Sequence, residues 1–460
     1  MRCGEGLPVC PDHRIIGTTA SWPGIVLVAM LFTGESPALD ITLGADANLV
    51  EEYNTNLFLT TAPHNDEWGQ GVDGGLDLSV ADERWGTSAN ARFNNRWYLP
   101  DSNLDYFNQL FSWKTYYLMD RSRLGLDTQY NMDTTLTSQT DQTDPTANLG
   151  FVFTRVPRTV RVVSPNWLYN LTEKTQLNLG YIYQDTTYDE KKNVARFPDS
   201  EANTGYLGLS HQLTERLQLT GSASYTDYAL TSVKTPVQGL VQVELFPGFN
   251  VSVPGTFNIP SVTSSIRTAS VMGGIDYFFT DTFDITLSAG GQHNETSSPP
   301  YTITTEENLF GVTRPGNPIA IPGTSSSTLS EIISARATKR FENGALGLEY
   351  DRTISPNIQG ALITYDNYSI NGSYRFSSQL STSLNFTYSD RTFPTAQGQI
   401  ITNSNQLYGA RPAINWQWDE NWVLSGSYQF YYLSYTDIEA TATSHAVFLN
   451  IQYLFDKQKL

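Results

Sequence analysis

Residues 175–188 read Thr-Gln-Leu-Asn-Leu-Gly-Tyr-Ile-Tyr-Gln-Asp-Thr-Thr-Tyr, and large apolar side chains recur at every second position. This period of two is that of a β-strand, because an α-helix would repeat after about 3.6 residues. The segment is also as long as the roughly 10 to 14 residues that a tilted strand needs to cross a bilayer. One face would be apolar and the other polar: Leu177, Leu179, Tyr181 and Tyr183 against Gln176, Asn178, Gly180 and Gln184.

The same alternation continues from Leu39 onward, and residues 446–455 repeat it near the end of the chain. A soluble β-sandwich would alternate too, so the connections decide between the two architectures. Tight polar turns such as Asp82-Glu83 alternate with long segments such as 231–264 and 297–326. Short turns at one end and long loops at the other are typical of a transmembrane barrel.

The sequences around the turns repeat. Residues 171–177, Leu-Thr-Glu-Lys-Thr-Gln-Leu, and residues 213–219, Leu-Thr-Glu-Arg-Leu-Gln-Leu, are nearly the same heptapeptide. The repeating unit is therefore a hairpin, with leucine or an aromatic residue at the strand ends where a membrane interface would lie. Counting strands between the connections predicts about 18, with about 16 and about 20 as bounds, and an even number returns both termini to one side.

One region leaves the strand count open. Residues 240–246 and 249–253 flank Pro247-Gly248 like an additional hairpin inside the longest loop. We interpret it as part of the loop, because its arms are short and neighbouring prolines interrupt them. Such a hairpin would either stand above the rim or fold inward as a constriction, and its apolar content also allows a partner-binding role.

Residues 1–38 are predicted to be a signal peptide cleaved after Ala38, with a disordered leader or an internal strand as the alternative. The apolar run Ile25–Phe32 is far shorter than the roughly 20 residues of a transmembrane helix. Cys3 and Cys10 both lie in this leader, so the mature chain would have no disulfide and no cysteine metal site. The formal net charge of −18 excludes nucleic acid as a partner.

The hydrocarbon interior of a membrane explains why the strands must form a closed ring. An unpaired backbone amide in hydrocarbon costs several kcal/mol, so strands can cross a bilayer only if the sheet closes and leaves no edge. We therefore predict an all-β fold, a closed antiparallel transmembrane β-barrel with short periplasmic turns and long extracellular loops. Residues 39–460 would form this single domain in the outer membrane of a Gram-negative bacterium.

Residues 43–59, Leu-Gly-Ala-Asp-Ala-Asn-Leu-Val-Glu-Glu-Tyr-Asn-Thr-Asn-Leu-Phe-Leu, resemble the opening strand of β-barrel porin-2 type outer-membrane proteins. The Leu-Thr-Glu-Lys and Leu-Thr-Glu-Arg turns are similar to that family too, and the resemblance covers residues 40–455. It implies passage of solutes across the outer membrane, often in exopolysaccharide or exosortase systems, and no catalytic residues. One departure is that Phe455 is followed by Asp-Lys-Gln-Lys-Leu, whereas such barrels commonly end in an aromatic residue.

We accordingly expect outer-membrane lipid, lipopolysaccharide and the barrel assembly machinery as partners, together with components of polysaccharide export. We expect no cofactor, no metal and no catalytic residue. An outer-membrane enzyme is the least favoured hypothesis, since the histidines outside the leader are scattered and show neither metal-ligand spacing nor a nucleophile nearby. These histidines are His64, His211, His293 and His445.

Charged residues inside the strands are the candidate functional residues, because a charge facing lipid near the midplane would cost roughly 2 to 4 kcal/mol. Alternation turns them toward the lumen. They would either line a pore that selects charged solutes or sugar acids, or form a ladder of ion pairs that stiffens the wall. The first possibility predicts a channel; the alternative is a barrel plugged by its loops that presents 231–264 and 297–326 to a partner. The pore-lining candidates are Arg92, Arg96, Lys114, Asp127, Arg336, Glu349 and Arg375.

Overall fold

The computed structural model describes residues 39–61, 63–135, 155–189, 197–246, 249–309, 312–357, 361–392, 404–436 and 439–459, and for 242–251 and 308–309 it describes the backbone alone. The predicted signal peptide, residues 1–38, lies outside these ranges. They include a 3-10 turn, Ser102–Leu104, and no described helix is long and apolar enough to cross a membrane.

The described chain consists mainly of strands. In chain order they are β1 (Asp40–Asn54), β2 (Glu67–Ala81), β3 (Trp85–Leu99), β4 (Tyr106–Leu118), β5 (Ser122–Thr134), β6 (Pro157–Thr172), β7 (Thr175–Tyr188), β8 (Asp199–Thr214), β9 (Leu217–Thr231), β10 (Thr235–Phe246), β11 (Phe249–Ile259), β12 (Thr263–Thr280), β13 (Phe283–Ser298), β14 (Tyr301–Leu309), β15 (Val312–Pro315), β16 (Ile319–Ile321), β17 (Thr324–Phe341), β18 (Gly344–Pro356), β19 (Leu362–Arg375), β20 (Leu380–Thr392), β21 (Asn405–Gln417), β22 (Trp422–Tyr435), β23 (Ala440–Leu454) and β24 (Gln458–Lys459).

The wall is a closed antiparallel barrel of 18 strands, which confirms the predicted fold class and the preferred strand number. It comprises β1–β9, β12, β13 and β17–β23, each paired with its neighbours in the chain. The ring closes where β1 pairs with β23, from Asp46 opposite Leu454 to Asn54 opposite Ala446. The tail after Phe455 extends this seam, because β24 pairs with β1 at Thr42 and Leu43.

The connections differ between the two ends of the wall. Tight turns join β2–β3, β4–β5, β6–β7, β8–β9, β12–β13, β17–β18, β19–β20 and β21–β22, each at the position that the sequence predicts. We call this side the short-turn end and the other side the long-loop end. Two connections at the long-loop end are short as well, namely residues 357–361 and 436–439.

Contacts across an intervening strand identify the inner face. The Arg92 guanidinium on β3 bonds the Asp46 carboxylate on β1, and a Cβ at Gly75 of the intervening β2 would collide with both side chains. Likewise, the Tyr98 hydroxyl donates to a Glu52 carboxylate oxygen two strands away at 3.1 Å. Side chains from strands two apart converge only on the concave side of a curved sheet. The inner face is therefore the one that carries these residues, and the pairing register extends it around the ring.

The outer face carries an apolar band between two aromatic belts. Five tyrosines on β18–β22 stand side by side, with ring centres 4.6, 5.7, 4.8 and 5.9 Å apart. Trp416 and Trp418 mark the short-turn end. Tyr408 and Trp416 are separated by roughly 26 Å of strand, or about 20 Å of height at a tilt near 40°. This band suits the hydrocarbon core of a bilayer. The tyrosines are Tyr350, Tyr368, Tyr388, Tyr408 and Tyr432.

A second sheet, which we call the loop sheet, lies outside the wall and contains β10, β11, β14, β15 and β16. The predicted arms 240–246 and 249–253 are too short: the hairpin runs over Thr235–Phe246 and Phe249–Ile259, and β11 pairs with β14 of the second long loop. The prolines do not stop it, because Pro236 lies on an edge strand and Pro254 lies just beyond the segment that pairs with β14. Eighteen wall strands and a separate loop hairpin agree with the preferred interpretation of the sequence.

Candidate functional site

The inner face of the wall strands β8, β9 and β12 carries small neutral polar groups. Side chains of neighbouring strands bond one another there, with Ser224 Oγ 2.7 Å from Ser270 Oγ and Thr204 Oγ1 2.9 Å from Thr226 Oγ1. Such hydroxyls satisfy each other in pairs and keep further lone pairs for water. This part of the wall is therefore compatible with a wet lumen.

The structure places all seven charged candidates on the inner face, and two of them belong to one cluster on β1–β3. Arg92 forms ion pairs with Asp46 and, at 3.0 Å, with Asp77. Arg96 pairs with Asp73 at 2.5 Å, and its side chain is largely buried. These two guanidiniums are held by carboxylates, as the ion-pair alternative requires.

The other cations divide into paired and unpaired. Arg336 on β17 bonds Glu349 on β18, which stands directly opposite in the register. In the described ranges, Lys114 and Arg375 have no carboxylate within 4.0 Å, although Asp127 is the register partner of Lys114. Arg375 lies on β19, the strand next to β18, which carries Glu349. That these seven residues line a path for solutes stays a prediction.

The inner face changes character toward the long-loop end, where buried residues form what we call the packed layer. Ile266, Ile363, Tyr365 and Leu433 are inner-face residues near the long-loop ends of their strands, and none is more than 1% exposed. The burial patterns of β1, β2, β7, β21 and β23 likewise show alternating buried positions at this end. In a wide open ring these side chains would face water. The packed layer therefore narrows the lumen at this end.

Two loops contribute side chains to the packed layer. Leu59, from the β1–β2 connection, packs with Leu407 and Leu433 on the opposite side of the seam. Its loop is anchored by Asn56, whose Nδ2 donates to the Thr443 carbonyl at 3.1 Å. Arg155, just before β6, stacks 4.2 Å from the ring centre of Tyr106. Loop residues thus fold inward over the mouth.

Our sequence reasoning did not find the packed layer, although a signal for it is present. Alternation assigns Ile266, Ile332 and Ile363 to the polar inner face, where an aliphatic residue is out of place. Ile266 and Ile363 occur close to the long-loop ends of their strands, whereas Ile332 lies in the middle of β17. Apolar residues at inner positions near the strand ends would have indicated a constriction.

The three histidines in the strands lie apart from one another. His211 bonds Thr175, His293 lies beside Glu295, and His445 bonds Tyr428, each on a different part of the outer face. Within the described residues, no three His, Cys, Asp or Glu side chains are grouped so as to hold a metal ion.

The sequence matches no protein-family model and no curated protein. Among solved structures, the chain is similar to the ferric-catecholate import receptor Fiu from E. coli K12, at 10% identity and a TM-score of 0.46 over 90% of this chain and 81% of that one. It is similar to OccAB4 from Acinetobacter baumannii at 12% identity and a TM-score of 0.44, over 92% of this chain and 99% of that one. It is similar to the copper transporter OprC at 6% identity and a TM-score of 0.46, over 90% of this chain and 83% of that one. The likeness is one of barrel fold.

Proposed function

We propose that this chain is an outer-membrane channel, through which polar solutes cross inside the barrel. The single observation that carries the proposal is the closed ring of 18 strands whose inner face is polar and whose outer face is apolar between aromatic belts. A ring of this size encloses a lumen wide enough for water unless something fills it. The outer band matches the thickness of a bilayer, which supports an outer-membrane location.

The packed layer makes this a restricted channel rather than an open tube. Leu433 and Tyr365 are fully buried at the long-loop end, whereas Ser222 in the lower half of β9 is exposed on the inner face. A solute would therefore find a wide lumen at the short-turn end and a narrow passage at the long-loop end. Solutes would be selected where the lumen is narrow and where charged side chains of the wall are unpaired.

Cysteine modification in planar bilayers tests the channel. In a Cys3→Ser/Cys10→Ser background, Ser222→Cys places a thiol on the inner face, and Ala223→Cys places one on the outer face of the same strand. A charged thiosulfonate reagent should lower the single-channel conductance of the first variant and leave the second unchanged. Bilayers that show no conductance, or an equal effect on both variants, would contradict the proposal.

The finer proposal is that the permeant is a polysaccharide chain on its way out of the cell. It is supported by the resemblance of residues 43–59 alone. A strain without this gene should then secrete less extracellular polysaccharide and regain secretion when the gene is restored. Unchanged secretion would rule out a polysaccharide permeant and would leave the channel proposal intact.

A second candidate is a barrel plugged by its own loops that serves as a surface-interaction protein. The packed layer favours it, and so does the loop sheet, in which Leu240 is 67% and Val312 52% exposed. Exposed apolar side chains on a projecting sheet are a common feature of partner sites. This candidate predicts no conductance for the intact chain, and capture of a cell-surface partner that is lost when the loop sheet is deleted.

A further inference from the structure

Two adjoining cavities open on the inner face near the short-turn end of β1–β6. Their volumes are about 370 and 400 Å³, and both are lined by Ser79, Ser88 and Lys114. The first also contains Arg123 and the second Lys457. We call the two together the basic recess. Of the three cations, our sequence reasoning found only Lys114, since Arg123 follows a turn directly and Lys457 lies beyond the last predicted strand.

Two of the three cations of the basic recess, Arg123 and Lys457, are positioned by neutral neighbours. Arg123 stacks on Tyr116, with its guanidinium carbon 4.6 Å from the ring centre. The Cγ of Lys457 lies 3.9 Å from where a Cβ on Gly44 would stand, so its stem rests on the backbone of β1. Stacking on a ring or on backbone fixes a side chain without neutralising its charge. All three side chains are exposed to the lumen.

Several arginines elsewhere on the described inner wall are paired with carboxylates, whereas Arg375 on β19 is not. Arg92, Arg96, Arg158, Arg336 and Arg340 all bond a carboxylate. In the basic recess, no carboxylate lies within 4.0 Å of the three cations, as far as the structure describes the chain. Their N–H donors are therefore available to a solute.

The acidic residues of the recess do not cancel this charge. Asp77 is occupied by Arg92 at 3.0 Å and by the amide of Asn90. Asp127 is the remaining carboxylate against three cations. A locally positive surface in a chain of net charge −18 attracts anions that the rest of the molecule repels.

We propose that the basic recess is a binding subsite for small solutes that carry both a carboxylate and hydroxyl groups, such as sugar acids. Lys114, Arg123 and Lys457 would hold the carboxylate, because ammonium and guanidinium groups are its strongest donors. Ser79 and Ser88 would bond the hydroxyls of the solute. The inference rests on the proposed channel, whose permeants it narrows to this class.

Block of conductance by galacturonate tests the subsite. Galacturonate should reduce the current at lower concentration than glucose, which lacks the charge, or acetate, which lacks the hydroxyls. Lys114→Gln combined with Arg123→Gln should raise the half-blocking concentration at least about tenfold, which corresponds to about 1.4 kcal/mol. Arg340→Gln removes the same type of charge from the inner wall outside the recess and should change it less than about twofold.

Asp127→Asn provides a test that misfolding cannot imitate. Removing the one carboxylate that would repel the solute should lower the half-blocking concentration about threefold. Equal block by galacturonate and glucose would overturn the subsite. So would an equal rise of the half-blocking concentration in the double variant and in Arg340→Gln.

Equilibrium binding separates failure of the subsite from failure of the channel. Titration calorimetry of the detergent-solubilised full chain should show galacturonate binding that the double variant loses. Binding without conductance would overturn the channel and keep the subsite. Conductance without binding or selective block would overturn the subsite and keep the channel.

Discussion

Replacing Leu287 by arginine tests whether the outer face is in contact with lipid. Leu287 is an outer-face residue, the fifth of the sixteen residues of β13, and lies four positions from Phe283 at the short-turn end of the apolar band. Four positions are half of the span from Tyr408 to Trp416 across this band. Its neighbour Ser288 points to the lumen. The pair Leu287→Arg and Ser288→Arg therefore introduces the same side chain at the same depth on opposite faces of one strand.

The magnitudes of the two effects differ widely. An arginine at the bilayer midplane costs about 2 to 4 kcal/mol on the lipid face of a barrel. Losing the leucine side chain adds about 1.5 to 3 kcal/mol, because its methyl and methylene groups leave an apolar environment. Leu287→Arg should therefore lower the free energy of unfolding by about 3.5 to 7 kcal/mol. Ser288→Arg faces water and polar groups, so a change within about 1 kcal/mol is expected.

Reversible unfolding by guanidinium in phosphatidylcholine vesicles measures both values, with tryptophan fluorescence as the signal. Leu287→Ala separates the loss of the leucine from the addition of the charge. If Leu287→Arg and Ser288→Arg changed the stability equally, or if the wild type folded without detergent or lipid, the assignment of an outer lipid face would be wrong.

Three further predictions use the same folding assay, conductance or gel mobility. Arg96→Met should cost about 3 kcal/mol, because it leaves the largely buried Asp73 carboxylate unpaired, and Arg96→Met with Asp73→Leu should recover most of that loss. Leu433→Ala should lower the stability by about 2 to 4 kcal/mol, since the side chain is fully buried in the packed layer, and it should raise the single-channel conductance; unchanged conductance would mean that this layer does not restrict the passage. Deleting residues 235–259 should leave the heat-dependent gel mobility of the barrel intact, because the loop sheet supplies no strand to the ring.

The sequence predicts which face a residue occupies, because the register of an antiparallel ring keeps every second side chain on one side. Arg92 and Arg96 were assigned to the inner face on that ground alone, and the structure agrees. Their partners are not predictable in the same way. Asp46 precedes Arg92 by a whole hairpin, and the two meet only because Gly75 between them has no side chain.

The long loops contain strands that the sequence does not predict. Residues 297–326 were interpreted as a loop because turns and prolines interrupt the alternation, yet they contain β14, β15 and β16. These short strands form because β11 offers a free edge at residues 255–258. Pairing with a distant edge leaves no local periodicity to detect, so such strands emerge only from the tertiary structure.

The alternation of apolar and polar residues shows which face a side chain occupies but not its position along the strand. This position divides the lumen into two regions. Ser222 and Ile266 occupy equivalent inner positions, yet one faces the open lower half and the other is sealed in the packed layer. The unpaired cations of the basic recess lie near the short-turn end, so a solute that enters there meets attraction before it meets the constriction. In the reverse direction the constriction comes first, and only solutes that pass it reach the charges. The order of these two features along the axis makes the two entrances of the proposed channel different, which the charge and the period of the sequence alone do not specify.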